Sequence, residues 1–353
     1  MLSAPACFRV HCAFLGFVKI LVLQLKRIGD LVLTAPALAE VRRRFPGAEI
    51  TLVVADGSAG LLPALGHLAE GRVFRRKSWN LDLWKTLLGS FDACLDFTGT
   101  DRSALLSAVS RAKRRVGFGA LDASALRLKV YTHRIPAPVR EFHTVDHALF
   151  LLEGLPEPEA PLAVCPEALR LPESAVAAAA ACLGTDPYLV VHPGTARPEK
   201  YWVAERWAEV ITEIRRRHGI RCVLTGGTDP FEKAHLARIQ EALREPCLDL
   251  SGRIDLLTFA AVLSGARACL SCDTAAVHLA AAFERPQLAL FGMTNPFQWR
   301  PRHGRALVLS AAQPEAPLRE FLPRMKGAPM SGLSTESVLR ATDALLADPG
   351  FSG

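Results

Sequence analysis

Apolar runs alternate along the chain with stretches of helical periodicity. From Lys19 the sequence reads KILVLQL, then the short loop KRIGD, then LVLTAPALAEVRRRF, and then a second apolar run, AEITLVV. Continuous runs of leucine and β-branched residues predict parallel strands buried on both faces, and the segment between them places its apolar residues at helical spacing. The fold therefore opens with a strand, a tight loop, a helix that we expect to start at Leu31, and a strand.

This unit is repeated through the first 155 residues. The pattern predicts further strands at Val73–Arg75, Ala93–Phe97 and Arg115–Gly117. It predicts helices at Asp82–Leu88, Arg102–Val109 and Thr144–Leu152. Such alternation specifies an open parallel sheet with helices on both faces.

A change of composition separates this part of the chain from a second one. The segment from Gly154 to Pro172 is rich in Pro, Glu and Ala, which is typical of a linker. A chain of 353 residues is also longer than one hydrophobic core usually organises. We therefore predict an N-terminal extension (1–18), a first domain (19–155), a linker (156–172) and a second domain (173–353).

The second domain shows the same alternation. Its predicted strands are Tyr188–His192, Arg221–Thr225, Cys247–Leu250, Ala268–Ser271, Gln287–Phe291 and Ala306–Leu309. Its predicted helices include Ala204–His218, Pro230–Leu243, Leu256–Leu263, Ala275–Phe283 and Thr335–Ala347. The fold class is therefore α/β, with two Rossmann-like, doubly wound domains that face each other across a cleft. Packing of the C-terminal helix back on the first domain is left open.

Composition narrows the class of protein. Half of the residues are hydrophobic and 22% are charged, which fits a globular protein. The first 18 residues carry neither a signal-peptide cleavage site nor the roughly 20 uninterrupted apolar residues of a membrane span, so we interpret them as a short extension. The nine cysteines are odd in number and mostly lie in apolar runs, which indicates buried, reduced thiols in a cytoplasmic protein.

The formal charge of +7 predicts attraction to an anionic partner, such as phosphates, an acidic sugar, a membrane surface or nucleic acid. Nucleic acid is disfavoured, because no basic motif interleaved with aromatic residues is present. The basic residues that could bind an acidic acceptor are Lys26, Arg27, Arg111, Lys113, Arg114 and Arg115. The alternative is that these charges are simply solvated.

Four loops that follow strands of the second domain carry the informative residues. They are HPGTARPEKYW from His192, TGGTDPFE from Thr225, CDTAAVH from Cys272 and FGMTNP from Phe291. The carboxyl edge of a parallel sheet presents free N–H groups of helix N-termini, which bind anions. Small residues in these loops allow close approach of the backbone to a ligand, so the second domain is expected to bind a nucleotide that carries phosphates.

Several of these residues also have a structural interpretation. Asp273, together with Thr274, could simply cap a helix, Lys200 could be a solvated charge, and His278 could be a hydrogen-bonded core histidine. His143, Asp146 and His147 could chelate a metal, but the sequence supplies no third ligand in context, so we interpret them as a helix start and predict no metal site.

Taken together, the segments LQLKRIGDLVLTAPAL, HPGTARPEKYW, GGTDPFEK and CDTAAVHLAAAFERPQLALFG resemble the lipopolysaccharide heptosyltransferases of glycosyltransferase family 9, which have the GT-B fold. The resemblance runs from about Lys19 to the C-terminal helix. It implies transfer of a heptose from ADP-heptose, with inversion and without a metal or other cofactor, onto Kdo or heptose of the inner core. It also implies a lipid A-linked acceptor at the inner membrane surface, and an enzyme that is cytoplasmic or peripheral at that membrane.

The resemblance also implies roles for individual residues. Asp30, in Arg27-Ile-Gly-Asp30, matches the general base of the family, and the interpretation as an ordinary helix cap stays open beside it. The residues matching the donor site are Thr195 and Lys200 at the phosphates, Glu232 at the ribose, and Asp273, Thr274 and His278 of an Asp-Thr-Gly-x-x-His motif. Ala275 stands where glycine is usual, which adds a methyl group where the backbone passes the diphosphate and puts the donor in doubt.

Three other functions remain open at this point. One is a transferase or epimerase of the same architecture that uses a UDP- or GDP-sugar. Another is a dinucleotide-dependent oxidoreductase, although the first turn lacks the three-glycine fingerprint. The third is a nucleotide-sugar binding protein without activity, which would tolerate loss of Asp30.

Overall fold

The computed structural model describes residues 19–119, 124–156 and 167–347. The predicted extension of residues 1–18, most of the predicted linker, and three of the cysteines, Cys7, Cys12 and Cys165, lie outside the described residues.

The first domain is a parallel sheet flanked by helices. Its strands are β1 (Lys19–Gln24), β2 (Glu49–Ala55), β3 (Glu70–Phe74), β4 (Ala93–Asp96), β5 (Arg114–Phe118) and β6 (His133–Ile135). Its helices are α1 (Ile28–Arg44), α2 (Leu62–Leu65), α3 (Leu81–Leu87), α4 (Asp101–Val109), α5 (Ala125–Val130) and α6 (Thr144–Phe150). The strand order is β3-β2-β1-β4-β5-β6, with every pairing parallel, which is the doubly wound topology predicted.

The second domain repeats this plan. Its strands are β7 (Tyr188–His192), β8 (Arg221–Leu224), β9 (Leu248–Asp249), β10 (Ala268–Cys272), β11 (Gln287–Phe291) and β12 (Ala306–Ser310). Its helices are α7 (Glu173–Leu183), α8 (Ala204–His218), α9 (Pro230–Ala242), α10 (Leu256–Ser264), α11 (Ala275–Ala282), α12 (Pro296–Trp299) and α13 (Thr335–Ala347). The strand order is β12-β11-β10-β7-β8-β9, again entirely parallel.

The α/β fold class is thus confirmed, and most element boundaries lie within two residues of those predicted. Helix α1 begins at Ile28 rather than Leu31, so the loop after β1 is shorter than expected. Strand β6 was not predicted, because two of its three residues, His133 and Arg134, are polar and leave no apolar run. The short helices α2, α5 and α12 were missed because four to six residues are too few for a periodicity to show.

The apolar core is continuous from one domain into the other. Leu21 and Leu23 of β1 face α3 and α4, whereas Ile20 and Val22 face the opposite side. The cluster that contains Ile20 continues through α1, α10 and α11 to residues such as Val190 in the second sheet. Helix α1 packs directly on α11, so the two domains meet along an apolar interface between their helices.

The C-terminal helix belongs to the second domain. Leu345 of α13 is fully buried in the cluster that also contains Trp207 of α8 and Leu290 of β11. The alternative that this helix packs back on the first domain is wrong, because its apolar face is used on the outer side of the second sheet. In the described part of the chain, no helix is both long and apolar enough to cross a membrane.

Candidate functional site

The first residues of α1 and α11 contact each other where the two domains meet. Helix α1 follows β1 and helix α11 follows β10, so both begin at the carboxyl edge of their sheets. A Cβ atom placed on Gly29 would lie 2.7 Å from Cδ2 of His278 and 3.8 Å from Cα of Ala275. Any side chain at position 29 would therefore push the two helices apart, and glycine allows their N-termini to meet.

Asp30 lies next to this contact, in the first turn of α1. Its Oδ2 accepts a hydrogen bond from the backbone N–H of Arg27 at 3.3 Å, so the residue does cap the helix. Burial raises the pKa of the Asp30 carboxyl above its ordinary value, although the positive charges of Lys26 and Arg27 oppose the shift. A raised pKa makes a carboxylate a stronger base, so the cap is also suited to accept a proton.

Lys200 and Asp273 form a buried ion pair between the loops that follow β7 and β10. The Lys200 Nζ lies 2.5 Å from Oδ2 of Asp273 and 3.3 Å from its backbone oxygen, and the side chains are 14% and 7% exposed. The two loops are neighbours because β7 pairs with β10. The interpretation of Lys200 as a solvated charge is therefore wrong.

The same pair changes the interpretation of the α11 N-terminus. The alternative that Asp273 simply caps this helix is wrong, because its carboxylate bonds to Lys200 and the N-cap position is occupied by Thr274. The Thr274 side chain makes no capping hydrogen bond, and Thr274 and Ala275 are both partly exposed. In the described part of the chain, the first N–H groups of α11 thus have no side-chain acceptor, which is the arrangement that binds phosphate.

Glu232 lies between the loops that follow β7 and β8. It is 6% exposed, and its Oε1 accepts a hydrogen bond from the N–H of Gly227 at 2.7 Å. Gly194 packs so closely on this carboxylate that no Cβ would fit there, which brings the neighbouring residue Thr195, also buried, close to Glu232. Burial raises the pKa of Glu232. Asp229, not Glu232, caps helix α9.

His278 is buried, with 5% of its surface exposed, but it is not the hydrogen-bonded core histidine considered above. Among the described residues its Nδ1 has no hydrogen-bond partner. Burial lowers the pKa of His278 to about 4, so the ring is neutral at cellular pH. This neutral imidazole lies beside Gly29 and near the Lys200–Asp273 pair, and its unpartnered nitrogen is buried.

A second buried histidine was not given a role from the sequence. His192, at the end of β7, bonds through Nδ1 to the Thr225 hydroxyl at 2.9 Å, and burial lowers its pKa to about 4. The pairing links the loops after β7 and β8. The sequence could have indicated this pairing, because His192 and Thr225 both stand at the carboxyl ends of predicted strands. Those two strands are neighbours in the sheet.

The arginines expected at the acceptor do not reach the cleft. Arg114 and Arg115 begin β5, so they lie at the amino edge of the first sheet, opposite the edge that carries Asp30. The Arg114 guanidinium donates to the Gly154 carbonyl, and Arg115 donates to the carbonyls of Val130 and Ala112, both at 2.7 Å. The expectation of an acceptor role is therefore wrong for these two residues, which hold the framework together. Of the acceptor candidates assigned to the site, Lys26 and Arg27 are exposed beside Asp30.

His143 and Asp146, at the start of α6, bond to the second domain, whereas His147 bonds within the first. His143 Nε2 lies 2.9 Å from the Arg300 carbonyl oxygen of the second domain, and Asp146 pairs with Arg302 at 2.6 Å. His147 bonds to the Ala137 carbonyl oxygen at 3.1 Å. Within residues 19–119, 124–156 and 167–347, no three His, Cys, Asp or Glu side chains are grouped so that they could hold a metal ion.

The fold and the site together define a class of protein. Two doubly wound domains meet at the carboxyl edges of their sheets, and Asp30 of one lies next to the contact with α11 of the other, which is the arrangement of the GT-B fold. Residues 80–328 match the model of glycosyltransferase family 9 (heptosyltransferase). The chain belongs to this family and is a glycosyltransferase.

Individual relatives agree with this assignment. The chain is 30% identical over 299 residues to lipopolysaccharide heptosyltransferase 1 of Pseudomonas aeruginosa, with 79% of each chain covered. A family 9 glycosyltransferase from Veillonella parvula has a similar structure, with a TM-score of 0.77, 22% identity and coverage of 94% and 97%. The Escherichia coli heptosyltransferase WaaC, solved with ADP-2-deoxy-2-fluoro heptose, gives a TM-score of 0.66 at 23% identity, with coverage of 93% and 99%.

The ion pair yields a prediction that separates stability from binding. Lys200→Ala should lower the free energy of unfolding by about 3 kcal/mol, because it leaves the Asp273 carboxylate buried and unpaired. Lys200→Ala with Asp273→Ala should recover most of this loss, since no charge is then stranded. Urea unfolding measures the stability of each variant, and ADP titration measures its affinity for ADP. Lys326→Ala, which removes an exposed lysine, is the control.

Both variants that lack Lys200 should bind ADP more weakly than the native protein does. Full ADP affinity in the double variant would show that neither side chain of the pair holds the phosphates. An unchanged unfolding free energy in Lys200→Ala would show that the ion pair does not form in solution.

Proposed function

We propose that this glycosyltransferase transfers a heptose from ADP-heptose to a Kdo or heptose residue of the lipopolysaccharide inner core. The observation that carries the proposal is the contact between Gly29 and His278, because it sets Asp30 of the first domain against the phosphate-type loops of the second. The choice of heptose and of a core acceptor rests on the relatives, among them heptosyltransferase 1 of Pseudomonas aeruginosa.

The donor would be bound at the carboxyl edge of the second sheet. The uncapped N-terminus of α11 and the Lys200 ammonium supply positive charge for a diphosphate, and Thr195 supplies a hydroxyl. Glu232, buried among glycines, can accept hydrogen bonds from ribose hydroxyls with its remaining lone pairs. The methyl group of Ala275, at the first position of α11, leaves less space beside the backbone there. The site would still accept a diphosphate, because the backbone N–H groups of α11 remain free to bind it.

The chemistry would need no resident cofactor. Asp30 would take the proton of the acceptor hydroxyl while that oxygen attacks the anomeric carbon from the face opposite the leaving ADP, which inverts the configuration there. Lys200 and the α11 N-terminus would stabilise the charge that develops on the diphosphate, so we propose a transfer that is independent of metal. Lys26 and Arg27, exposed beside Asp30, would attract a carboxylate or phosphate of the acceptor. We propose that the enzyme works in the cytoplasm, on an acceptor at the inner membrane surface.

A nucleotide panel tests the donor. ADP at 100 times its dissociation constant should raise the free energy of unfolding by about 2.7 kcal/mol, whereas UDP, GDP and NAD at the same concentration should have little effect. Thermal shift measures this. Glu232→Gln, whose amide oxygen can still accept the Gly227 hydrogen bond, should fold normally and show a smaller shift with ADP.

A selective response to UDP or GDP would favour the transferases and epimerases that use those donors. A selective response to NAD would overturn the assignment of a sugar nucleotide altogether.

A second prediction concerns the general base. Asp30→Asn should bind ADP almost normally but lower kcat by roughly 10²–10⁴-fold, the usual contribution of a general base. In the native enzyme kcat should fall as the pH drops through the pKa of Asp30, which burial raises above the ordinary value of an aspartate, because protonation removes the base. Asp186→Asn, an exposed carboxylate of the second domain, serves as the control. Retained turnover in Asp30→Asn would leave Asp30 only its role as a helix cap.

A further inference from the structure

Large apolar and basic side chains are exposed together on the segment that runs from the loop after β3 to the end of α3. Trp79 is 86% exposed, Leu81 68% and Leu88 63%. Arg76, Lys77 and Lys85 are also exposed in the same stretch. We call these six residues the Trp79 patch. Single exposed hydrophobic residues are ordinary, but three large ones within ten residues, interspersed with cations, make the exposed side of this segment amphipathic.

Helix α3 is apolar on two sides. Leu83 and Leu87 are buried on the first sheet, where they pack with Leu21 and Leu23 of β1. Leu81, Lys85 and Leu88 follow the spacing i, i+4, i+7, so they share the outer side of the helix. The core therefore accounts for the inner leucines, and nothing in the fold of the described residues covers the outer ones.

Hydrogen bonds hold the loop that carries Trp79 in a defined conformation. The Asn80 side chain accepts from the N–H of Arg75 at 2.8 Å and donates to its carbonyl at 2.7 Å and to that of Ser78 at 2.8 Å. Asn80 itself adopts a left-handed conformation, with φ of 50°. Arg75 also pairs with Asp56 at 3.5 Å. These bonds fix the turn and leave Trp79 pointing away from the core.

The charge of this segment indicates what it meets. Between Phe74 and Ser90 there are four basic residues and one acidic residue, Asp82. Tryptophan favours the boundary between lipid headgroups and acyl chains, where its ring is partly dehydrated and its N–H remains hydrogen-bonded. Lysine and arginine beside it are attracted by anionic headgroups. This combination of side chains fits the surface of an anionic phospholipid bilayer.

The position of the patch relates it to the site. The segment leaves β3 at the carboxyl edge of the first sheet, the edge at which Asp30 follows β1. Gln24 of β1 pairs with Val54 of β2, which pairs with Val73 of β3, so the two exits lie two strand spacings apart, about 10 Å. A bilayer in contact with the Trp79 patch would thus present a lipid-anchored sugar near the cleft.

We propose that the Trp79 patch docks the enzyme on an anionic phospholipid membrane. The inference extends the proposed function, on which the lipid-anchored acceptor rests, by naming the surface that meets the membrane. Docking in this orientation directs the carboxyl edge of the first domain to the bilayer, and the acceptor then reaches Asp30 by diffusion in the plane of the membrane.

Vesicle sedimentation tests the proposal without donor or acceptor. The native protein should bind vesicles of phosphatidylcholine mixed with phosphatidylglycerol, bind vesicles of phosphatidylcholine alone much more weakly, and lose binding in high salt. Arg76→Glu with Lys77→Glu should weaken binding to the mixed vesicles by roughly tenfold or more, and Trp79→Ser should weaken it several-fold. Because these side chains are exposed, the variants should keep the native melting temperature.

Matched controls come from the second domain. Arg244→Glu with Arg319→Glu changes the net charge equally, and Val176→Ser replaces another exposed apolar residue. Both should bind vesicles like the native protein. Equal loss in these controls, unchanged binding in the Trp79 patch variants, or a dimer in solution that Trp79→Ser dissociates would each overturn the proposal.

The two proposals fail in different ways. Transfer to a water-soluble acceptor by a protein that ignores vesicles would contradict membrane docking alone. Vesicle binding by a protein that transfers no heptose would contradict the proposed function alone.

Discussion

The approach of two helix N-termini across the cleft is the constraint on which the site depends. Helix α1 meets α11 through Gly29 and His278, and only a hydrogen atom at position 29 leaves room for the imidazole ring. Both termini carry the positive end of a helix dipole, so two like dipole ends face the same space. A diphosphate in that space would lie near both, and the Asp30 carboxylate would lie near the sugar that the diphosphate carries.

The charges around this contact are arranged in advance. Lys200 is held by Asp273 rather than free in solvent, so its ammonium keeps one position with little side-chain entropy left to lose when a ligand binds. Burial raises the pKa of the Asp30 and Glu232 carboxyls and lowers the pKa of the His278 imidazole, because it disfavours the charged form of each group. The result is a basic carboxylate on one domain and a neutral imidazole on the other. This division suits a reaction in which one domain removes a proton and the other accepts a leaving anion.

The sequence predicted the fold well because the parallel strands are buried on both faces and therefore read as apolar runs. Strands β7 and β11 and helices α8 and α13 were predicted to the residue. The site could be predicted only as a set of loops. The Lys200–Asp273 pair joins residues 73 positions apart, so no local pattern in the sequence indicates it. The pair excludes both the interpretation of Asp273 as a helix cap and that of Lys200 as a solvated charge. Arg114 and Arg115 were misplaced although the strand prediction itself put Arg115 at the start of β5, which is the amino edge of the sheet.

The contact at Gly29 is the most direct point at which to test the account. Gly29→Ala adds a methyl group against His278, whereas Gly47→Ala adds one in open space and serves as the control. Alanine also favours a helix more than glycine does, so Gly29→Ala should not unfold α1. Steady-state kinetics of heptose transfer, measured beside ADP affinity, should show kcat reduced by about a hundredfold in Gly29→Ala, a larger effect than the change in ADP affinity. Turnover equal to that of Gly47→Ala would contradict the claim that this contact positions Asp30 for the reaction.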